Sequence, residues 1–204
     1  TVKDDSGAVS NPATVTLTIA GDSTPQIGTP TNLTVDEDGL PGANVDDNPL
    51  APGEVDSTES LTQSGSVVVS FGSDRPANLA ASIVLLDTPA LDGQLQTLNG
   101  NPVTFALVGS DLVGSDGATE VIRIKITGAV TGPGAGQATY TYSATLAQPV
   151  KHTTPGQEDS DLLSGVTFRV TDSDGDPADG TFSVTVVDDI PVAVVPTAIS
   201  LTNA

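Results

Sequence analysis

An antiparallel β-sandwich is the fold class that this 204-residue chain predicts, and three observations carry it. Short runs alternate apolar and polar residues with a period of two, 21 glycines and 15 prolines punctuate them, and no stretch repeats its apolar residues at helical spacing. In chain order, the runs 31–36, 66–71, 81–86 and 102–108 are the first candidate strands. "TEVIRIKITG" then alternates Ile122, Ile124 and Ile126 with Arg123 and Lys125. "ATYTYSATL" places Tyr140, Tyr142, Ala144 and Leu146 on one face. "GVTFRVTD" does the same with Val166, Phe168 and Val170, and "TFSVTVVD" with Phe182, Val184 and Val186. The six aromatic residues, four Phe and two Tyr, all fall inside these runs, so they are expected in the core.

Composition narrows the functions. The formal net charge is −20, which disfavours nucleic acid and anionic lipid as partners and makes the compact state repel itself unless something neutralises it. Hydrophobic residues make up 37% of the chain, enough for a real core, so the acidity is not a sign of disorder. Cysteine is absent, which removes disulfides, thiol nucleophiles and thiolate metal sites together. No apolar run approaches the length needed to span a bilayer, and membrane insertion is not expected. His152 is the single histidine. It lies in the polar segment "VKHTTPG", where a surface loop or turn contact is the expected role and catalysis is not.

An internal echo sets the expected boundaries. "PTNLTV" at 30–35 resembles "PTAISL" at 196–201, and Pro25 stands to Pro191 at the same offset of about 166 residues. "VKDDSG" followed by "ATVTLTIAGDSTP" likewise resembles "VTDSDG" followed by "GTFSVTVVDDIP". One unit of a tandem array is therefore expected: residues 1–24 as the tail of a preceding repeat or a linker strand, 25–190 as a complete repeat, and 191–204 as the start of the next.

Acidic residues gather at the ends of the candidate strands. Asp172, Asp174 and Asp176 stand at i, i+2 and i+4 with Gly175 allowing the bend, so their oxygens can converge on one centre. The turn is not an EF-hand: Ser183 occupies the twelfth position, where that loop carries a bidentate glutamate, and Gly175 falls at position 4 instead of 6. Because the strands on either side of the turn run oppositely, Asp188 and Asp189 should lie at the other pole, on the order of 20–25 Å away at about 3.3 Å per residue. The strand at 31–36 should deliver Asp36, Glu37 and Asp38 to that pole, and "QEDSD" should add Glu158, Asp159 and Asp161. Two clusters result: Asp22 with Asp172, Asp174 and Asp176 towards the preceding unit, and Asp36, Glu37, Glu158, Asp159, Asp188 and Asp189 towards the following one. Crowded oxygen donors without cysteine point to Ca²⁺ before zinc or copper.

The stretch 138–191, "ATYTYSATLAQPVKHTTPGQEDSDLLSGVTFRVTDSDGDPADGTFSVTVVDDIP", resembles the C-terminal end of the tandem repeats of giant bacterial adhesins of the repeats-in-toxin class, and "LTVDEDGLPG" is similar to their start. The resemblance covers roughly a third of the unit and implies an immunoglobulin-like extender domain, exported by type I secretion to the cell surface. There it would be calcium-bound between neighbouring repeats of one chain, monomeric, and would carry distal ligand-binding modules outward. Asp172, Asp174, Asp176, Asp188 and Asp189 would be calcium ligands or their neighbours by that resemblance. The unit exceeds the roughly 100 residues of an ordinary immunoglobulin sandwich, with the surplus expected in the Gly/Pro/Asp-rich stretches 37–65 and 87–117. If those stretches bound a glycan or peptide, the chain would instead be a calcium-dependent binding module, and exposed aromatic residues would be expected there.

Overall fold

The structure, a computed structural model, describes residues 1–17, 21–43, 60–154 and 159–189. The expected start of the next repeat, the linker at Pro191 and Glu158 lie outside the described residues.

Among the described residues ten strands form: β1 (Gln26–Ile27), β2 (Leu33–Asp36), β3 (Thr62–Ser70), β4 (Ile83–Leu86), β5 (Thr104–Val108), β6 (Asp111–Asp116), β7 (Thr119–Thr131), β8 (Gln137–Leu146), β9 (Ser160–Thr171) and β10 (Pro177–Val187). They make two sheets, ordered β1-β3-β8-β7-β6-β5 and β2-β10-β9-β4. Read as immunoglobulin strands, β1, β3, β8 and β7 take the A-B-E-D order, and β10, β9 and β4 the G-F-C order. The chain is an all-β sandwich, and the hairpin β5–β6 widens one sheet beyond the D position.

Alternation explains which faces meet. Val166, Phe168 and Val170 on β9 and Phe182, Val184 and Val186 on β10 are all buried, as are Tyr140, Tyr142, Ala144 and Leu146 on the opposing β8. All six aromatic side chains are in this core. Tyr142 stacks on Phe182 across the two sheets, with centroids 4.2 Å apart and planes 21° from parallel, and its hydroxyl donates to the Thr31 carbonyl at 2.6 Å. A buried phenol thus keeps its polar end satisfied while its ring fills the interior.

Three features differ from the sequence expectation. First, β2 pairs with β10 in parallel, Val187 with Asp36, although every other strand pairing among the described residues is antiparallel; its direction still brings Asp36 to the Asp188 pole, as the sequence predicts. Second, 87–117 is not loop surplus: Leu91, Leu95, Val103, Phe105 and Leu112 are buried, and β5 and β6 pair as a hairpin on β7. The run "DLVGSDG" hides β6 because Gly and Asp are poor strand formers, and only the pairing with β5 and β7 holds it extended. Third, β9 begins at Ser160, several residues before the alternating run at 166. Register shifts between Phe182 and Val184, whose partners are Val166 and Leu163, and this bulge breaks the phase of the pattern. Among the described residues no helix is long and apolar enough to cross a membrane.

Candidate functional site

Antiparallel pairing places the two ends of the β9–β10 hairpin at opposite poles: Pro177 opposes Thr171 at one end, and Val187 opposes Ser160 at the other. The expected separation of the two acidic clusters therefore follows from the register.

At the first pole the turn Asp172–Asp176 is built by its own leading aspartate. The Asp172 amide donates to the Asp176 carbonyl at 3.1 Å, while Asp172 Oδ1 accepts from the amides of Gly175 (3.0 Å) and Asp176 (2.7 Å). Gly175 adopts φ 112°, a conformation that side chains rarely tolerate. Asp172 is 7% exposed, and its Oδ2 is buried without an N–H or O–H donor. The neighbouring Asp174 carboxyl can satisfy it only by carrying a proton itself. That hydrogen bond to Asp172, then burial and the charges of Asp172 and Asp22, push Asp174 up to about 6. Burial alone would raise Asp172, but the hydrogen bonds from Asp174 and from the amides of Asp176, Gly175 and Asp174 outweigh it and leave its carboxyl low.

Asp22 arrives from the segment that precedes the sandwich. One carboxylate oxygen each from Asp22, Asp174 and Asp176 lies within 4.8 Å of the others. The segment is pinned by its neighbour Ser23, whose amide and hydroxyl both donate to Asp74 Oδ2 at 2.8 Å, and the hydroxyl also donates to the Phe71 carbonyl. Sequence reasoning did not single out Asp74. The Ser173 amide donates to the Asp74 carbonyl, so this residue braces both the incoming chain and the acidic turn.

At the second pole the expected Glu37 and Asp188 do come together, while other expected carboxylates are engaged differently. Asp36 caps a 3₁₀ turn at Glu37–Gly39 by accepting from the Asp38 amide, and Asp159 is occupied with its own loop. Asp159 Oδ2 accepts from the Thr153 amide and hydroxyl and from the Thr154 amide, and Oδ1 accepts from the Ser160 amide. Those donors, Ser160 first and then Thr154 and Thr153, hold its carboxyl down at about 2. Asp189 lines a cavity with Leu40, Pro149 and Asp188.

Among the described residues, Glu37, His152 and Asp188 converge there. His152 is not on the surface: its side chain is 4% exposed, with Nε2 3.2 Å from Glu37 Oε1 and 3.9 Å from Asp188 Oδ1, and Nδ1 3.8 Å from Asp161 Oδ2. Glu37 Oε1 also accepts from the Val150 amide at 2.7 Å. Burial works to lower His152, but the Glu37 hydrogen bond and the charges of Asp188, Glu37 and Asp161 outweigh it, and its affinity for a proton is raised. Asp188 is raised as well, by burial first. Sequence spacing held no sign of this contact, because Glu37 and His152 are 115 residues apart.

No family model, curated protein or solved structure matches the chain.

Proposed function

We propose that the chain is a spacer unit of a bacterial surface adhesin, one repeat of an exported tandem array in which calcium braces the sandwich against the chain leading into it. The observation that carries this reading is the meeting of Asp22 with Asp174 and Asp176. The donors there are oxygens only, Asp172 Oδ2 lacks a donor, and the chain's net charge is −20. Such a set suits a hard divalent ion that takes six to eight oxygen ligands, and calcium accepts irregular geometry where magnesium demands an octahedron. Asp22, Asp174 and Asp176 would hold the ion with Asp172 beside them. Its charge would replace the proton that Asp174 carries below about pH 6.

A second observation supports the tandem arrangement. Residues 2–10 fold as the β9–β10 turn does: Lys3 bridges Val9 as Thr171 pairs with Pro177, and Gly7 has φ 85° where Gly175 has 112°. Surface location and export follow from the resemblance of 138–191 to repeats-in-toxin adhesins. No catalytic step belongs to this reading.

A calcium-dependent glycan- or peptide-binding module is the competing role. It would call for exposed aromatic platforms, yet all six aromatic side chains are buried. The apolar cleft of about 410 Å³ between β4 and β7 is lined by Ile83, Leu85, Leu107 and Ile126, without an aromatic or charged side chain. The spacer reading is the better supported.

Native mass spectrometry of the chain under calcium titration tests it, with thermal melting in parallel. Bound calcium and a raised melting temperature are expected. No bound ion at millimolar calcium, or a melting temperature identical in calcium and in chelator, would remove the mechanism.

A further inference from the structure

The second pole has a different donor chemistry from the first, and this is the basis of a separate assignment. We propose that Glu37, His152 and Asp188 form a binding site for one borderline divalent cation of the zinc class, distinct in metal preference from the oxygen-only site at Asp22, Asp174 and Asp176.

Imidazole nitrogen is a donor that zinc, copper, nickel and iron take readily and that calcium, a hard ion bound through oxygen, does not. Two ligands at about 2.0–2.1 Å from a tetrahedral centre stand roughly 3.3 Å apart. His152 Nε2 lies 3.2 Å from Glu37 Oε1 and 3.9 Å from Asp188 Oδ1, so an ion would need only small side-chain adjustments to sit among them. The three donors come from separate parts of the chain, and each is anchored. Glu37 follows β2 and accepts from the Val150 amide, Asp188 follows β10 and its amide donates to the Asp159 carbonyl, and His152 is packed at 4% exposure.

An independent observation concerns the other ring nitrogen. His152 Nδ1 is buried without a hydrogen-bond partner, and Asp161 Oδ2 stands 3.8 Å from it. A carboxylate behind the non-ligating nitrogen is the arrangement that fixes the tautomer of a metal-bound histidine, with the proton on Nδ1 and the lone pair on Nε2 directed at the ion. Drawing the ring slightly towards Asp161 would close that hydrogen bond. Two of the three ligands, Glu37 and Asp188, line a cavity of about 330 Å³ with Leu40 and Pro149, which has room for water on the metal. Without metal, the Nε2–Glu37 hydrogen bond occupies the same place, and an ion bound there takes the Nε2 lone pair in place of a proton.

The assignment does not rest on the calcium reading, and its test is separable from it. His152 is the only histidine, so a ¹H–¹⁵N spectrum of the imidazole nitrogens contains one residue. The chain is first saturated with calcium, and zinc chloride is then titrated in. One additional equivalent of zinc is expected, with the Nε2 resonance displaced and Nδ1 protonated. His152→Gln should abolish that equivalent, and Asp161→Asn should weaken it about 10–100-fold, while both variants keep the calcium response of the unsubstituted chain. Since the spectrum of the unsubstituted chain reports binding directly, a variant that fails to fold does not blunt the test. An imidazole spectrum unchanged up to 1,000-fold excess zinc, or a zinc equivalent that survives in a folded His152→Gln chain, would overturn the assignment and leave His152 as a buried partner of Glu37 only.

Discussion

Asp4 and Asp172 fold the same turn. Each amide donates to the carbonyl four residues on, Ala8 in one case and Asp176 in the other, at 3.1 Å, and each Oδ1 accepts from that same residue's amide. The matched positions are 168 residues apart, against 166 for the two prolines, as a repeat with small insertions would give. The copies differ in the side chains that could hold an ion: Ser6 stands in place of Asp174, and Ala8 in place of Asp176.

That difference predicts where calcium acts. Asp174→Asn combined with Asp176→Asn should abolish the rise in melting temperature on adding calcium, whereas Asp4→Asn should leave it intact. At 10–100 times the dissociation constant, one site contributes roughly 1.4–2.7 kcal/mol by mass action. Calorimetric melting in calcium and in chelator measures this, and an unchanged calcium response in the double variant would exclude the turn as the site.

Asp22 is the side chain through which the incoming segment would sense the ion. Calcium should slow hydrogen exchange at the Ser23 amide, which is already held by Asp74, and Asp22→Asn should cancel the slowing without unfolding the sandwich. Equal exchange with and without calcium in the unsubstituted chain would show that the ion does not tie the segment down.

Asp159 predicts a pH dependence. Its folded carboxyl is depressed to about 2 from an ordinary value near 3.8, so its contribution to stability is present above the ordinary value and is lost as pH falls towards 2. The gap in melting temperature between the unsubstituted chain and Asp159→Asn should be constant at neutral pH and close between about pH 4 and 2. A gap that stays constant down to pH 2 would mean that the Thr153, Thr154 and Ser160 donors do not favour the ionised form.

The Tyr142–Phe182 stack predicts two graded losses. Tyr142→Phe removes the bond to the Thr31 carbonyl and leaves that acceptor unfilled, at a cost of about 1–3 kcal/mol. Phe182→Ala opens a cavity between the sheets and should cost about 3–5 kcal/mol. Chemical denaturation resolves both, and equal losses would mean that the stack carries no more than the hydroxyl.

Alternation along Phe168, Val170, Phe182 and Val184 was enough to define a sandwich, because the pleat alternates faces whatever the partner strand is. The same local rule made the Asp172–Asp176 turn legible and put Asp188 at the far pole, since a hairpin's ends cannot share one. Pairing partners and loop paths are not local, and they decided the rest. The parallel register of β2 on β10 sets Asp36 beside Val187, and the 3₁₀ turn after it swings Glu37 inward to meet the Val150 amide and His152. Asp159 lies in a segment as acidic as any other, yet three neighbouring residues consume its oxygens as acceptors. Sequence alone determined that carboxylates crowd both ends of the β9–β10 hairpin. Tertiary structure decided which of them keep an open lone pair, because only the folded chain brings amide donors to some of these oxygens and, at Glu37 and Asp188, a buried imidazole.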